Sequence, residues 1–468
     1  MNILQEMNES ISSPSRNCIF ICVFHNESYV DLLYLLLESI FMNGNVNECT
    51  DIVVYTSTAF MQKIKNSSLY CEKIVFEIND NYDSIDLACK ARLDAFDLPA
   101  MNAYDKILYL DTDVLVIRDV NPVFDIIKKE VIYAMEEGTI DDPQDFWGTT
   151  LFGNEAQEYT DKTAFSSGVM AFMNCEKMRT LFLNIKKDMK NRRYNFACFD
   201  QPYIVYNAIK QNLVDKKTIL DLVITNEEDI HSDKTIVHFA GWPGLQIRKY
   251  SLMETFMNKF KDNINIENIQ RAKDFINEQL IPIIRGQGEP LEGNIFMIHH
   301  TMEYTNVFEN KAKNISNLVL NKNIRNVLEI GFNAGFSTLL MLLSNPYMKI
   351  TCVDLGEHKY TIPCYEKIKE FFGDRINLII GDSTVVLPHI NDTYDLIHID
   401  GGHDTFVATN DIINCYRLSK NKTILIMDDY DFPNLHQLWD EYVLRYNLRT
   451  PNTSNYISPH HDIKVVAK

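Results

Sequence analysis

The strongest pattern in the chain is an apolar run at residues 106–117 that two carboxylates interrupt at its centre. Apolar residues lie before Asp111 and after Asp113, which is typical of a strand covered on both faces of a sheet. Two buried carboxylates repel each other and lose hydration, and a divalent cation held by oxygen ligands relieves both costs. The pattern therefore predicts a buried strand that ends in a metal site. The alternative for an isolated Asp-x-Asp is a strand that ends at Asp111, with Asp113 in solvent.

Further apolar runs alternate with helical patterns along the first half of the chain. Strand patterns at 18–24, 51–56 and 73–78 precede the run described above, and residues 32–41 have helical spacing. Alternating strands and helices predict an α/β fold with a mainly parallel sheet. Because such sheets bind nucleotides at the carboxyl ends of their strands, the polar loop after residue 24 is a candidate nucleotide site.

A second series of strand patterns begins at residue 325, after a region of helical spacing that contains a break rich in Gly and Pro at 282–293. A chain of 468 residues is long enough for two domains that each bury a core. We predict an α/β protein with domains at 17–262 and 313–468 and a helical linker region at 263–312.

Charge and composition exclude several classes of protein. Lys and Arg number 45 against 64 Asp and Glu, and the net charge of -19 argues against nucleic acid as a substrate. No apolar run is long enough to span a bilayer, and the first residues lack the features of a signal peptide, so we expect a cytoplasmic protein without a membrane span. The ten Cys occur singly, which predicts free thiols.

Four motifs in roughly the first 250 residues follow the order that is typical of one enzyme family. They lie at 90–116, at 165–174, at Asp200-Gln201 and at 238–241. Together they resemble the retaining glycosyltransferases of family 8, which include glycogenin and the bacterial lipopolysaccharide galactosyltransferases. The resemblance implies a GT-A fold, a UDP-sugar or similar nucleotide-sugar donor, and a glycan acceptor.

The same resemblance implies roles for individual residues. The metal would be Mn²⁺, held by Asp111, Asp113 and His238. The other implied contacts are Asn26, Ser28 and Tyr29 with the uracil, Arg92 and Gly241 with the donor phosphates, and Asp200 and Gln201 with the sugar as catalytic residues. Two of these residues have structural alternatives: Tyr29 as a core residue at the start of a helix, and Asp200 as the N-cap of the helix that follows.

The sequence departs from the family pattern at two positions. Members of the family often have Lys three residues after the glycine that corresponds to Gly241, where this chain has Gly244. Arg248 and Lys249 come later, so the residue that holds the diphosphate stays open. Ser166 stands where an Asn often contacts the sugar, so the sequence does not identify the donor hexose.

The second series of strands opens with a strand, a glycine turn and a helix at residues 325–341. Gly331 and Gly335 allow the backbone to approach a ligand closely, and the start of the helix offers free N–H groups. The next strand ends in Asp354, which is placed to bind two ribose hydroxyls. Residues 313–468 resemble the class I S-adenosylmethionine-dependent methyltransferases, which have a Rossmann-like fold, and most of all the metal-dependent O-methyltransferases that act on macrolide sugars.

This resemblance implies a cofactor site for S-adenosylmethionine. The residues expected to bind it are Glu329, Gly331, Asn333, Gly335, Asp354, Asp382 and Ser383. A nicotinamide cofactor is excluded because the Gly-x-Gly-x-x-Gly spacing is absent from this turn.

Three carboxylates and a histidine follow the later strands. Methyl transfer to a sugar hydroxyl requires an oxygen that is deprotonated and aligned with the donor. We expect Asp400, Asp428 and Asp429 to hold a Mg²⁺ ion that lowers the pKa of the hydroxyl, and His403 to accept its proton. The structural alternatives are a turn at Asp428-Asp429 and a helix cap at His403.

We conclude from the sequence that the chain is a bifunctional enzyme, a hexosyltransferase joined to a sugar O-methyltransferase. One alternative is a methyltransferase with an inert, glycosyltransferase-like binding domain. Another is a methyltransferase that acts on a protein or a small phenol.

Overall fold

The structure is a computed structural model that describes residues 15–67, 69–226, 233–241, 246–451 and 460–468. The chain divides into two compact units, Met1–Met257 and Asn258–Lys468. Among the described residues, both units are α/β, as the sequence predicts, and no helix is long and apolar enough to cross a membrane.

The first unit is built on a seven-stranded sheet and a smaller three-stranded sheet. Its strands are β1 Asn17–Val23, β2 Thr50–Thr56, β3 Ile74–Ile78, β4 Lys106–Leu110, β5 Val114–Val116, β6 Ile132–Thr139, β7 Thr163–Met173, β8 Val214–Asp215, β9 Val223–Thr225 and β10 Ile236–His238. The strand order is β3-β2-β1-β4-β7-β6-β8 in the large sheet and β5-β10-β9 in the small sheet. Strands β1 to β4 are parallel, and β7 runs antiparallel to β4 and β6.

Helices cover the large sheet of the first unit. They are α1 Glu27–Asn43, α2 Thr58–Asn66, α3 Ile85–Lys90, α4 Asn121–Asp125, α5 Thr149–Phe152, α6 Glu176–Asn191 and α7 Gln201–Lys210. Helix α8, Gln246–Phe275, contains the division between the units.

The apolar run around β4 is buried on both sides of the sheet. Ile107 and Tyr109 belong to one hydrophobic cluster, and Leu108 and Leu110 belong to another. Successive side chains of a strand point to opposite faces, so a strand covered on both faces needs an unbroken apolar sequence. The predicted buried strand is therefore confirmed.

The second unit contains a six-stranded sheet with the order β13-β12-β11-β14-β15-β16. The strands are β11 Asn326–Ile330, β12 Lys349–Asp354, β13 Ile376–Ile380, β14 Tyr394–Ile399, β15 Ser419–Met427 and β16 Asp462–Val465. The helices are α9 Ile281–Gln287, α10 Glu309–Val319, α11 Phe336–Ser344, α12 Thr361–Phe372, α13 Ser383–Val386, α14 Thr405–Leu418 and α15 Pro433–Arg445. All strands are parallel except β16, which pairs antiparallel with β15.

Residues of the region 263–312 take part in the core of the second unit. Ala272, Ile276 and Leu280 are fully buried in the same hydrophobic cluster as Leu339. The end of α8 and the π-helical turn Ile276–Leu280 therefore pack as part of this unit.

Candidate active sites

The carboxylates that interrupt the apolar run lie between β4 and β5, and β10 brings a histidine to them. Strand β10 pairs with β5 so that His238 is opposite Val114, and the N–H of Phe239 donates to the carbonyl of Asp113 at 2.8 Å. His238 Nε2 lies 3.5 Å from Asp113 Oδ1. Ligand atoms of Asp111, Asp113 and His238 all lie within 4.8 Å of one another. The structure thus brings the three predicted metal ligands together.

A glycine that the sequence analysis did not assign to the site leaves room for this cluster. Gly168, in the middle of β7, accepts a hydrogen bond from the N–H of Asp111 at 2.8 Å. A Cβ on Gly168 would lie 2.3 Å from the His238 ring and 3.1 Å from Asp111 Oδ2. Glycine inside a strand often marks such a close approach. This glycine is therefore the feature of the sequence that could have identified the position.

Arg92 lies between Asp111, one of the predicted metal ligands, and Asp200. Its guanidinium is 3.3 Å from Asp111 Oδ1 and 3.1 Å from Asp200 Oδ2, and it donates to the carbonyl of Ser167 at 2.8 Å. Burial opposes the charge on Arg92, but Asp111 and Asp200 outweigh it and raise the pKa of the guanidinium. These contacts hold the carboxylates in place, whereas the sequence analysis expected Arg92 to bind the donor phosphates.

Asp200 and Gln201 stand at the start of α7. Asp200 occupies the N-cap position, but its side chain makes no capping hydrogen bond. Burial raises the pKa of Asp200 to about 6, although the nearby Arg92 opposes the rise. Gln201 Oε1 accepts hydrogen bonds from the N–H and Oγ of Ser167, at 3.1 and 3.0 Å.

Lys249, from α8, supplies a positive charge that the sequence analysis left unassigned. Its ammonium forms an ion pair with Asp113 Oδ2 and donates to the carbonyl of Gly241 at 3.1 Å. Burial raises the pKa of Asp113, but Lys249 and His238 outweigh burial and hold that pKa well below its usual range. Gly244 lies outside the described residues, so its place in the loop is not described.

These residues line a cavity of about 370 Å³. All three candidate metal ligands contribute to the wall, together with Arg92, Asp200, Gln201, Gly241 and Lys249. Tyr29 and Ser166 also line it, whereas Asn26 and Ser28 are not part of the described lining. Asn26 caps α1 instead, because its Oδ1 accepts the N–H of Ser28 at 3.0 Å.

The glycine turn of the second unit follows β11. Gly331 has a φ of 89°, and a Cβ there would lie 1.9 Å from the carbonyl oxygen of Asp400. Asp354, at the end of β12, accepts hydrogen bonds from the N–H groups of Phe332 and Asn333, both at 2.8 Å. Asp354 therefore fixes the shape of this turn.

The remaining residues that the sequence predicts to bind the cofactor make contacts with other parts of the protein. Gly335, with a φ of 78°, precedes α11 and packs against Phe332. Asn333 donates to the carbonyl of Gly293 at 2.7 Å. Asp382 caps α13 by accepting the N–H of Thr384 at 2.8 Å, and Ser383 is the first residue of that helix.

Glu329, which the sequence analysis expects to bind the cofactor, does not reach the surface. It is 0% exposed. Its carboxylate accepts a hydrogen bond from Ser337 Oγ at 2.6 Å and another from Thr338, and it lies 3.0 Å from His398 Nδ1. Glu329 thus binds protein groups inside the sheet layer.

Asp400, Asp428 and Asp429 converge beside β14 and β15, with ligand atoms within 4.8 Å of one another. Burial, followed by repulsion from Asp428, raises the pKa of Asp400 well above its usual range. His403 Nε2 lies 3.0 Å from Asp429 Oδ2, and this contact raises the pKa of the imidazole. The structure brings the four predicted residues together.

A lysine that the sequence analysis missed enters the same cluster. The ammonium of Lys311, on α10, lies 2.5 Å from Asp428 Oδ1 and 3.2 Å from Asp429 Oδ1. Its side chain is only 7% exposed. Burial lowers the pKa of Lys311, but Asp428, Asp400 and Asp429 outweigh it and raise the pKa.

Comparisons with known proteins match each unit separately. A sequence profile described as "Glycosyl transferase family 8" matches residues 22–242, and a profile described as "Methyltransferase domain" matches residues 328–430. No curated protein matches the chain. The first unit therefore contains a domain that matches the family 8 glycosyltransferases, and the second contains one that matches methyltransferases.

Solved structures show low similarity. "WbbM bifunctional glycosytransferase apo structure" is 14% identical with a TM-score of 0.39, over 52% of this chain and 50% of that chain. Mouse xyloside xylosyltransferase 1 is 13% identical with a TM-score of 0.36, over 48% of this chain and 97% of that chain. An O-methyltransferase from Bacillus cereus is 15% identical with a TM-score of 0.31, over 42% of this chain and 97% of that chain. The chain spans half of the length of WbbM.

Proposed function

We propose that the first unit transfers a hexose from a UDP-sugar to a glycan acceptor with retention of configuration, and that the second unit methylates a sugar hydroxyl with S-adenosylmethionine. One observation carries the proposal. In a family 8 domain, Asp111, Asp113 and His238 converge at the wall of a cavity of about 370 Å³, and Gly168 leaves the space that this convergence requires.

The residues of the first site fit a divalent cation. Two carboxylates and an imidazole offer O and N ligands to Mn²⁺. Asp113 Oδ1 is buried and makes no hydrogen bond to a described residue, so it has a free lone pair where the ion would bind. A bound ion would neutralise the charge that develops on the departing diphosphate. Asp111, Asp113 and His238 would hold it.

The other residues of the first site orient the donor. Arg92 keeps Asp111 and Asp200 at fixed positions through its ion pairs. Gln201 is oriented by Ser167, with its side chain at the cavity wall where the sugar would lie. Lys249 reaches the carbonyl of Gly241 in the loop that the resemblance assigns to phosphate. We assign to Lys249 the diphosphate contact that the sequence left open.

The residues of the second site fit Mg²⁺ by the chemistry of their donors. Asp400, Asp428 and Asp429 present carboxylate oxygens, which are the ligands that Mg²⁺ prefers. When bound, the ion would lower the pKa of a sugar hydroxyl. His403 is 42% exposed at its side chain, and its neutral imidazole would accept the hydroxyl proton at Nε2 once that atom turns from Asp429 to the hydroxyl. Asp354 and the turn after β11 would hold the cofactor.

We further propose that the two reactions are sequential, and that the second unit methylates the hexose that the first unit attaches. Two active sites on one chain raise the local concentration of a shared intermediate. A newly attached sugar presents an unactivated hydroxyl, and a carboxylate cluster beside a histidine suits that acceptor.

A screen of purified protein against nucleotide sugars, with Mn²⁺ and a panel of glycans, tests the first activity. We expect donor hydrolysis or transfer with one nucleotide sugar, and loss of both in Asp113→Ala. Full turnover in the presence of a chelator would contradict the metal site.

Isotopically labelled S-adenosylmethionine, added with and without the sugar donor, tests the second activity. Mass spectrometry should find the methyl group on the transferred hexose, and Asp428→Ala should give the unmethylated glycoside. Methylation of the acceptor without a sugar donor would disprove the sequential scheme but leave both activities in place.

A further inference from the structure

A second group of side chains that could bind a metal lies in the second unit and shares Asp428 with the carboxylate cluster. His398 is on β14, Asp428 follows β15, and His461 precedes β16. These three strands are neighbours in the sheet, so the topology places the three residues side by side. Their exposed fractions are 0%, 2% and 3%. The group therefore lies inside the unit.

The imidazole nitrogens of His398 and His461 lie at distances from the Asp428 carboxylate that are typical of ligands of one metal ion. His398 Nε2 lies 3.6 Å from Asp428 Oδ2, and neither atom makes a hydrogen bond to any residue that the structure describes. His461 Nε2 lies 3.4 Å from Asp428 Oδ1. Two ligands of one tetrahedral Zn²⁺ lie roughly 3.3 Å apart, given bond lengths of about 2.0–2.1 Å. A separation of 3.6 Å is too long for a hydrogen bond and close to this ligand spacing.

Glu329 orients the first imidazole for such a role. Strand pairing places Glu329 opposite His398 on the neighbouring strand, and its Oε1 lies 3.0 Å from His398 Nδ1. Metal-binding histidines commonly donate their second ring N–H to a carboxylate, which leaves the other nitrogen as the ligand. The buried Glu329 that the sequence analysis assigned to the cofactor is placed for this contact.

We propose that His398, Asp428 and His461 bind a transition-metal cation of the Zn²⁺ class, with Glu329 supporting His398. Two imidazoles and one carboxylate favour such a cation over Mg²⁺, which prefers oxygen ligands. The ion ties the edge strand β16 to β14 and orients Asp428. Because Asp428 is shared with the carboxylate cluster, the ion also determines how one of the proposed Mg²⁺ ligands is held. The site does not depend on the proposed methyl transfer.

The test uses a full-length parent protein in which the other two histidine-containing groups found among the described residues cannot bind metal. Asp113→Ala removes the group in the first unit, and His299→Ala removes the exposed group of Glu292, His299 and His300. An excess of Mg²⁺ in every buffer saturates the carboxylate cluster. The parent is stripped with a chelator, loaded with Zn²⁺ or Co²⁺, and its metal content is measured after gel filtration.

We expect the parent to retain about one equivalent of Zn²⁺ and to show the visible absorption of Co²⁺ bound by imidazole. His398→Gln and His461→Gln should each weaken retention at least tenfold. Glu329→Gln should weaken it by about 10–100-fold, the usual effect of removing a carboxylate that supports a metal-binding histidine. The matched control is His403→Gln, which removes an imidazole from the carboxylate cluster but not from the proposed site, and it should bind as the parent does.

Two results would overturn the proposal. A stripped parent that stays folded by circular dichroism and takes up neither Zn²⁺ nor Co²⁺ would show that His398 and Asp428 form only an imidazolium–carboxylate contact. Uptake that persists in both His398→Gln and His461→Gln would place the ion elsewhere. Neither measurement requires a sugar or a methyl acceptor, so failure here is distinct from failure of the proposed function.

Discussion

Each of the two acidic sites contains a lysine, but the two lysines are held differently. Lys249 contacts one carboxylate, that of Asp113, and its side chain is 15% exposed at the wall of an open cavity. Lys311 contacts two carboxylates, those of Asp428 and Asp429, and is 7% exposed. An ammonium with a single carboxylate partner beside an open cavity can leave it at a lower cost than a buried ammonium that bridges two carboxylates.

The comparison indicates that similar clusters of charges serve different purposes. In the first site, the ammonium of Lys249 lies next to Asp113, and we propose that a divalent ion takes this place while the lysine turns to the diphosphate. In the second site, the buried Lys311 bridges Asp428 and Asp429 and is part of the framework that holds these two carboxylates together. The predictions below test this difference.

Replacing Lys311 should have the largest effect on stability. Lys311→Met leaves Asp428 and Asp429 without their shared cation, and uncompensated buried charge costs about 3–5 kcal/mol of unfolding free energy. The matched control is Lys313→Met on the same helix, whose partner Glu309 is largely exposed. Chemical denaturation of the metal-free protein measures both variants. Equal stability of the two variants would show that Lys311 has no structural role.

Replacing Asp113 should have the next largest effect, and on activity. Asp113→Ala removes a proposed metal ligand, and we expect donor turnover to fall about 10²–10³-fold, which corresponds to about 3–4 kcal/mol. The exposed Asp125→Ala is the control in the same unit. Binding of S-adenosylmethionine, measured by calorimetry, should be unchanged in both variants. Turnover close to that of the control would exclude Asp113 as a metal ligand.

The strands and the carboxylates could be predicted from the sequence because their signals are local. The unbroken apolar pattern identifies β4, and the acids that directly follow β4, β14 and β15 must lie at the ends of those strands. The two lysines have no local signal that points to these sites. Lys249 and Lys311 lie on helices far along the chain from their acidic partners, and only the folded topology brings them together.

Two predicted site residues make contacts with protein groups that the sequence did not indicate. Glu329 belongs to the strand that opens the methyltransferase pattern, but strand pairing places it opposite His398, inside the protein. Arg92 was expected to be a phosphate ligand, yet its guanidinium lies between Asp111 and Asp200. A motif identifies which residue is present, whereas the direction of its side chain depends on neighbours that are distant in sequence.

Adding a methyl group at Gly168 should have a moderate effect. The new Cβ of Gly168→Ala would lie 2.3 Å from the ring of His238, and forced overpacking of this kind costs about 1–3 kcal/mol. We expect weaker binding of Mn²⁺, measured by electron paramagnetic resonance. The control is Gly286→Ala, because a Cβ on this helical glycine has no neighbour within 4 Å among the described residues. Unchanged Mn²⁺ affinity would mean that His238 is not a ligand.

Replacing Lys249 should have the smallest effect and gives the sharpest test of the comparison. Lys249→Met removes the cation that competes for Asp113, so Mn²⁺ alone should bind more tightly, by up to about tenfold or about 1.4 kcal/mol. The nucleoside diphosphate should bind more weakly in the presence of Mn²⁺, because the lysine no longer reaches it. If Lys249 instead were a fixed part of the site, as Lys311 is in the second unit, the variant would lose stability and gain no affinity for the metal. Opposite changes in the affinities for metal and diphosphate therefore distinguish an exchangeable lysine from a structural one.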